Sequence, residues 1–122
     1  MKLTGNIIFL GCEDLNRIRN TYGGFLGFPL EKDQGKCLIY SMPGGGMLGF
    51  CEHLSKCDQE KSPIVTLLCD SREEVEKTHQ EFAEESVVEL ESSPELNPDF
   101  NLYHFFARDP EGYLLEVQTF LD

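Results

Sequence analysis

The feature that most constrains this chain is an internal repeat. Sliding the sequence by 57 positions lays Ile7-Ile8-Phe9-Leu10-Gly11-Cys12 over Ile64-Val65-Thr66-Leu67-Leu68-Cys69. The same shift brings Ile18 onto Val75, Tyr22 onto His79 and Phe25 onto Phe82. Few of these pairs are identical, so the repeat lies in the pattern. Each half opens on a run of β-formers, continues with apolar residues at helical spacing, and ends in strand-like runs around a glycine-containing turn. A unit repeated twice within 122 residues leaves neither half complete alone, and their sheets are expected to share a core or cleft.

The elements follow from local chemistry. Ile7 to Leu10 reads as a strand. Asp14 is placed to cap a helix carrying Leu15, Ile18, Tyr22 and Phe25-Leu26 on one face, and Gly23-Gly24 should end or distort its last turns. Cys37 to Met42 and Met47 to Cys51 read as strands joined by Pro43-Gly44-Gly45-Gly46. The polar stretch His53 to Pro63 has loop composition. The pattern restarts with a strand from Ile64 to Cys69. Ser71 with Glu74 forms a capping box for a helix with Val75, Thr78, His79 and Phe82 on one face. Strands are expected at Val87 to Leu90, Leu102 to Ala107 and Tyr113 to Phe120, the last two flanking Asp109-Pro110-Glu111-Gly112. The predicted fold class is α+β: two βαβββ modules, about 1–53 and 64–122 with a linker at about 54–63, forming a shared curved sheet and cleft within one domain.

Composition narrows the function. The 22 acidic residues outnumber the 10 Lys and Arg for a net charge of −12, which excludes the clustered basic surface that nucleic acid requires. No apolar run approaches the roughly 18 residues of a membrane helix, and the N-terminus lacks a signal-peptide core, so the expected location is the cytoplasm, with no membrane partner. Five cysteines, an odd number with no C-x-x-C pair, do not form a disulfide framework or zinc ribbon pattern. They read as small buried hydrophobes, with Cys57 as the exposed thiol.

Three stretches resemble the vicinal oxygen chelate superfamily, which includes glyoxalase I, extradiol dioxygenases and bleomycin- and fosfomycin-resistance proteins. Asp14-Leu15, followed by Tyr22 and Phe25-Leu26-Gly27-Phe28, is similar to the family's "D-L" and "F-Y-x-x-x-L-G-F" run. Asp109-Pro110-Glu111-Gly112 with Leu115-Glu116 resembles its "D-P-x-G-x-x-x-E" ending. The two-module order extends the resemblance over essentially the whole chain. The resemblance implies a cleft in which metalloenzymes of the family hold a divalent cation through His or Glu from the first and last strands of each module. Here those positions fall on Ile7 (or Asn6), Ile64 (or Val65), Gly49 (with Glu52 nearby) and Glu116. One carboxylate does not hold a catalytic cation, so no metal or other cofactor is expected.

Strand alternation, with both hairpin turns taken as four residues, places Phe9, Leu38, Tyr40, Cys51, Thr66, Tyr103, Phe105, Glu116 and Gln118 on the cleft side. Such an aromatic groove with few polar anchors suits a flat or amphipathic organic molecule. Glu116, if ionised, would favour a cationic ligand, and its aromatic neighbours would add cation–π attraction. If buried and unpaired it would titrate high and serve as a general acid or base. Arg108 reads as a salt-bridge partner for the abundant acids. His53, His79 and His104 fall in a loop, on a helix face and on the strand face opposite the cleft; His79 reads as a partly buried core histidine. Cys51 and His53 would point the same way if their strand extended that far. The expectation is a metal-free protein that sequesters a cationic or aromatic small molecule, as bleomycin-resistance members of the family do, and that forms a homodimer. The alternatives are a divalent-metal-dependent lyase or dioxygenase with a rearranged ligand set such as Glu52, Glu116 and a histidine, and a non-catalytic interaction domain.

Overall fold

A computed structural model describes residues 1–58 and 60–122; Gln59, within the expected linker, lies outside the described residues. The chain divides into two compact units, Met1–Lys61 and Ser62–Asp122. Each contains one helical segment packed on one sheet, as the repeat predicts.

In the first unit, β1 (Ile7–Gly11), β2 (Leu30–Asp33), β3 (Cys37–Ser41) and β4 (Met47–Cys51) form a sheet of order β1-β4-β3-β2. β1 runs parallel to β4, and the other pairs are antiparallel. Helix α1 (Leu15–Ile18) starts at Asp14, whose carboxylate accepts the Asn16 amide at 2.8 Å. It widens at once into a π-helical stretch, Arg19–Phe25. The distortion therefore begins four residues before Gly23. That glycine has a packing role, because a Cβ there would lie 3.3 Å from the Tyr40 ring. β2 carries no alternation and is exposed throughout, and the sequence pattern gives no sign of it.

In the second unit, β5 (Ile64–Leu68), β9 (Leu114–Phe120), β8 (Leu102–Arg108) and β6 (Glu89–Leu90) form a sheet in that order, with β5 parallel to β9. A short β7 (Glu95–Asn97), also unpredicted, pairs with β8 beside β6, so the edge strand is split in two. Helix α2 (Arg72–Glu84) has the expected cap: the Ser71 hydroxyl accepts the Glu74 amide at 3.1 Å, and Glu73 and Glu74 occupy the first turn, where the helix dipole favours acids. Val75 and Phe82 are buried on its sheet-facing side. Among the described residues, no helix is long and apolar enough to cross a membrane.

Candidate functional site

The hairpin loops decide which side chains share a face. Asp109 accepts the backbone amides of Glu111 (2.9 Å) and Tyr113 (2.8 Å) on one carboxylate oxygen, and its own amide bonds the Tyr113 carbonyl. Tyr113 is thereby drawn into the turn, and the first cross-strand pair is Arg108 with Leu114. The loop is five residues long, one more than the four-residue turn assumed above. The first module repeats the arrangement. The Met42 amide bonds the Gly46 carbonyl, the Gly45 amide bonds the Met42 carbonyl, and Ser41 pairs with Met47. Gly44, Gly45 and Gly46 all have positive φ, a region open to glycine at little cost.

One residue of register turns every side chain of a strand to the other face, which corrects four of the nine predicted site residues. Phe105 pairs with Val117, not Glu116, and meets His79 (4.9 Å between ring centroids) and Phe82 (5.4 Å) edge to face beneath α2. His79 is thus the partly buried histidine expected, packed against the core ring of Phe105. Tyr103 also faces α2. Its hydroxyl donates to Glu76 at 2.5 Å, and the Arg72 guanidinium lies 4.4 Å over its ring. The Glu76 hydrogen bond, then burial, pushes the Tyr103 phenol above its ordinary pKa. Leu38 pairs with Phe50 and Tyr40 with Leu48 on the α1 side of the first sheet, and burial raises the Tyr40 phenol.

The same shift brings His104 and Phe106, which the sequence reading placed away from Glu116, onto its face. Phe106 pairs with Glu116 and His104 with Gln118, and Thr66 of β5 lies beside Glu116. The Glu116 carboxylate receives Nδ1 of His104 at 2.6 Å and the Thr66 hydroxyl at 2.9 Å. Both partners of this contact are largely buried, with side-chain exposures of 8% for His104 and 12% for Glu116. The Phe106 ring packs 4.9 Å from the imidazole. Ile64, Leu68 and Phe120 add exposed apolar surface along the same strands. Arg108 pairs instead with Glu91 at 2.7 Å, as its expected salt-bridge role requires. Glu116 is therefore largely buried but paired, so the expectation of an unpaired carboxylate is not met. Where the Glu116 carboxylate acts as acceptor, Nδ1 of His104 is the donor, and the tautomer that places its hydrogen there leaves a lone pair on Nε2.

In the first unit Phe9, Cys37, Ile39, Gly49 and Cys51 share the face away from α1. The Phe9 ring covers Gly49 so closely that a Cβ there would lie 2.6 Å from it. Phe9, Gln34, Cys37, Cys51, His53 and Leu54 line a groove of about 310 Å³. Cys37 and Cys51 pair across the hairpin and are joined by a disulfide, while Cys12, Cys57 and Cys69 are not disulfide-bonded, Cys57 being exposed as expected. This corrects the reading of Cys51 as a lone buried thiol. The bond depends on the same five-residue loop that four-residue counting misses.

The profile of the glyoxalase/bleomycin resistance protein/dioxygenase superfamily matches residues 6–117. The chain belongs to that superfamily. Solved structures agree on the fold. A glyoxalase/bleomycin resistance protein/dioxygenase from Nocardioides is 17% identical, with a TM-score of 0.79 over 100% of this chain and 86% of its own. A family enzyme from Burkholderia phytofirmans PsJN is 15% identical (TM-score 0.80; 95% and 98% covered). A lactoylglutathione lyase from Agrobacterium tumefaciens is 19% identical (TM-score 0.75; 97% and 94% covered). No curated protein sequence matches significantly.

The glyoxalase-type metal positions can now be placed by register. Glu116 pairs with Thr66, and its counterpart Gly49 pairs with Phe9, while the 57-residue repeat carries Phe9 onto Thr66. The positions that the resemblance names are Ile7, Ile64, Gly49 and Glu116; Ile7 pairs with Met47 and Ile64 with Leu114, each two residues along its strand from Phe9 and Thr66. Two isoleucine side chains, a glycine hydrogen and one carboxylate do not fit a divalent cation, which needs about three good ligands.

Proposed function

We propose that this glyoxalase-superfamily chain binds a small organic molecule on the face of the second sheet that carries His104, Phe106, Glu116 and Gln118. The observation that supports this reading is the part-buried Glu116–His104–Thr66 cluster, a preorganised polar anchor set beside apolar side chains. Burial of apolar ligand area would supply the affinity, and the anchor would select ligands that offer a matching hydrogen-bonding or cationic group. Calorimetric titration with a panel of cationic glycopeptides and aromatic compounds tests the reading. We expect at least one to bind, with an affinity about ten- to a hundredfold weaker in Glu116→Gln, in line with the loss of a charge-assisted hydrogen bond. Absence of heat from every compound overturns it.

The orientation of His104 favours a second reading, proton transfer. A carboxylate that holds Nδ1–H aims Nε2 as a base, which suits abstraction of an acidic proton from the bound molecule. Deuterium exchange into a ligand found by calorimetry, abolished in His104→Gln, would support it. Equal exchange in the variant would dismiss it.

A further inference from the structure

We propose that Cys37, Cys51 and His53 form a redox-gated site for a thiophilic divalent cation of the zinc class, closed as the disulfide and open as a Cys2His set when reduced. The two sulfurs come from directly opposed residues at the open end of the β3–β4 hairpin. His53 follows Cys51 by two residues, and its Nδ1 lies 3.9 Å from the Cys37 sulfur. The three donor atoms lie within 4.8 Å of one another, and among the described residues no other three His, Cys, Asp or Glu side chains gather donors so closely. Two sulfurs and an imidazole nitrogen are the soft and borderline donors that zinc prefers.

The surroundings are those of a site and not only of a staple. Cys37 and Cys51 are 7% and 2% exposed, at the floor of the groove, while His53 stands exposed at its rim. Phe9, Gln34 and Leu54 complete the wall, so a fourth coordination position would face the groove. The set shares no residue with Ile7, Ile64, Gly49 and Glu116, and none with the residues proposed above to bind a ligand. Opening it requires a dithiol reductant: the protein disulfide takes two electrons and two protons and becomes two thiols, and the reductant becomes its own disulfide. A cation then displaces both thiol protons. Tetrahedral coordination with metal–sulfur bonds of about 2.3 Å separates the sulfurs to roughly 3.8 Å, a distance that side-chain rotation at the two cysteines supplies once the bond is broken.

The full-length chain, reduced and freed of reductant under anaerobic conditions, should be titrated with Co2+ as a spectroscopic stand-in for zinc. The expected result is thiolate-to-cobalt charge transfer that saturates at about one equivalent, bleaches on adding Zn2+, and does not develop in the oxidised protein. His53→Ala should weaken Co2+ binding about tenfold or more, and Cys37→Ser/Cys51→Ser should abolish the charge transfer. Alkylation mapping of the reduced wild type gives a readout that needs no variant: Zn2+ should protect Cys37 and Cys51 and leave Cys57 reactive. No charge transfer in the reduced wild type, a signal that survives in the double variant, binding unchanged in His53→Ala, or protection confined to the other cysteines would each overturn the proposal.

Discussion

Replacing Gly11 with alanine tests how β1 and the following loop are fitted together. A Cβ on Gly11 would lie 2.5 Å from the Leu54 carbonyl oxygen, 2.6 Å from the Ser55 carbonyl carbon, and in still closer contact with the Ser55 oxygen. Every atom met is backbone, so no side chain can swing aside, and the loop itself must move. Overpacking of this kind costs about 1–3 kcal/mol. With an unfolding entropy of about 2.1 cal/mol/K per residue over 122 residues, that lowers the melting temperature by about 4–12 °C. Gly49→Ala is the control. Its Cβ would also come to 2.6 Å, but from the ring of Phe9, which is 44% exposed and has solvent to rotate into. Differential scanning calorimetry of the two variants should rank Gly11→Ala well below Gly49→Ala. If Gly11→Ala melts within about a degree of the wild type, or at or above Gly49→Ala, the packing argument fails.

Phe82→Ala should cost about 3–5 kcal/mol in urea denaturation, because it empties a buried position that packs edge to face on Phe105. Asp109→Ala leaves the amides of Glu111 and Tyr113 without their shared acceptor and should destabilise by about 2–4 kcal/mol in the same assay, with loss of the β8–β9 register visible as changed cross-strand nuclear Overhauser contacts. The Arg19 guanidinium hydrogen-bonds Asp33 at 2.7 Å and holds its carboxyl below the ordinary aspartate range, helped by the Gly35 amide. A depressed folded-state pKa means the pair's contribution is present above the unfolded aspartate value and fades as pH falls through the folded one. An NMR titration of Asp33 should therefore show a midpoint below that of a model aspartate, rising in Arg19→Gln; identical midpoints would remove Arg19 as the cause.

Much of the architecture is written in short-range signals. The capping box at Ser71 and Glu74, the helical spacing of Val75 to Phe82, and the 57-residue recurrence locate α2 and the two-module order because each depends on residues a few positions apart. β2 and β7 escape because Leu30-Glu31-Lys32-Asp33 and Glu95-Leu96-Asn97 lie at sheet edges with little to bury, so no alternation marks them. The strand faces were half legible. Phe9, Cys51, Thr66, Glu116 and Gln118 lie on the expected faces, whereas Leu38, Tyr40, Tyr103 and Phe105 do not, and His104 and Phe106 take the place of the last two. The deciding signal was Asp109, whose carboxylate gathers two amides and lengthens the turn. Counting Tyr113 into the loop would have recovered His104. The same correction at Met42 to Gly46 would have set Cys37 opposite Cys51.

Those five-residue loops give the fold a kind of parity. Within a hairpin, even and odd positions of one strand answer to opposite sides of the sheet, and the loop length sets which parity meets the partner's groove-facing residues. Deleting or inserting one residue between Arg108 and Leu114 would exchange His104 and Phe106 for Tyr103 and Phe105 in a single event, without altering any residue of either strand. A change of length in this hairpin can thus trade an imidazole and its neighbouring ring for a phenol and a different ring on the same sheet face at once, where point substitution would need a separate change at each position.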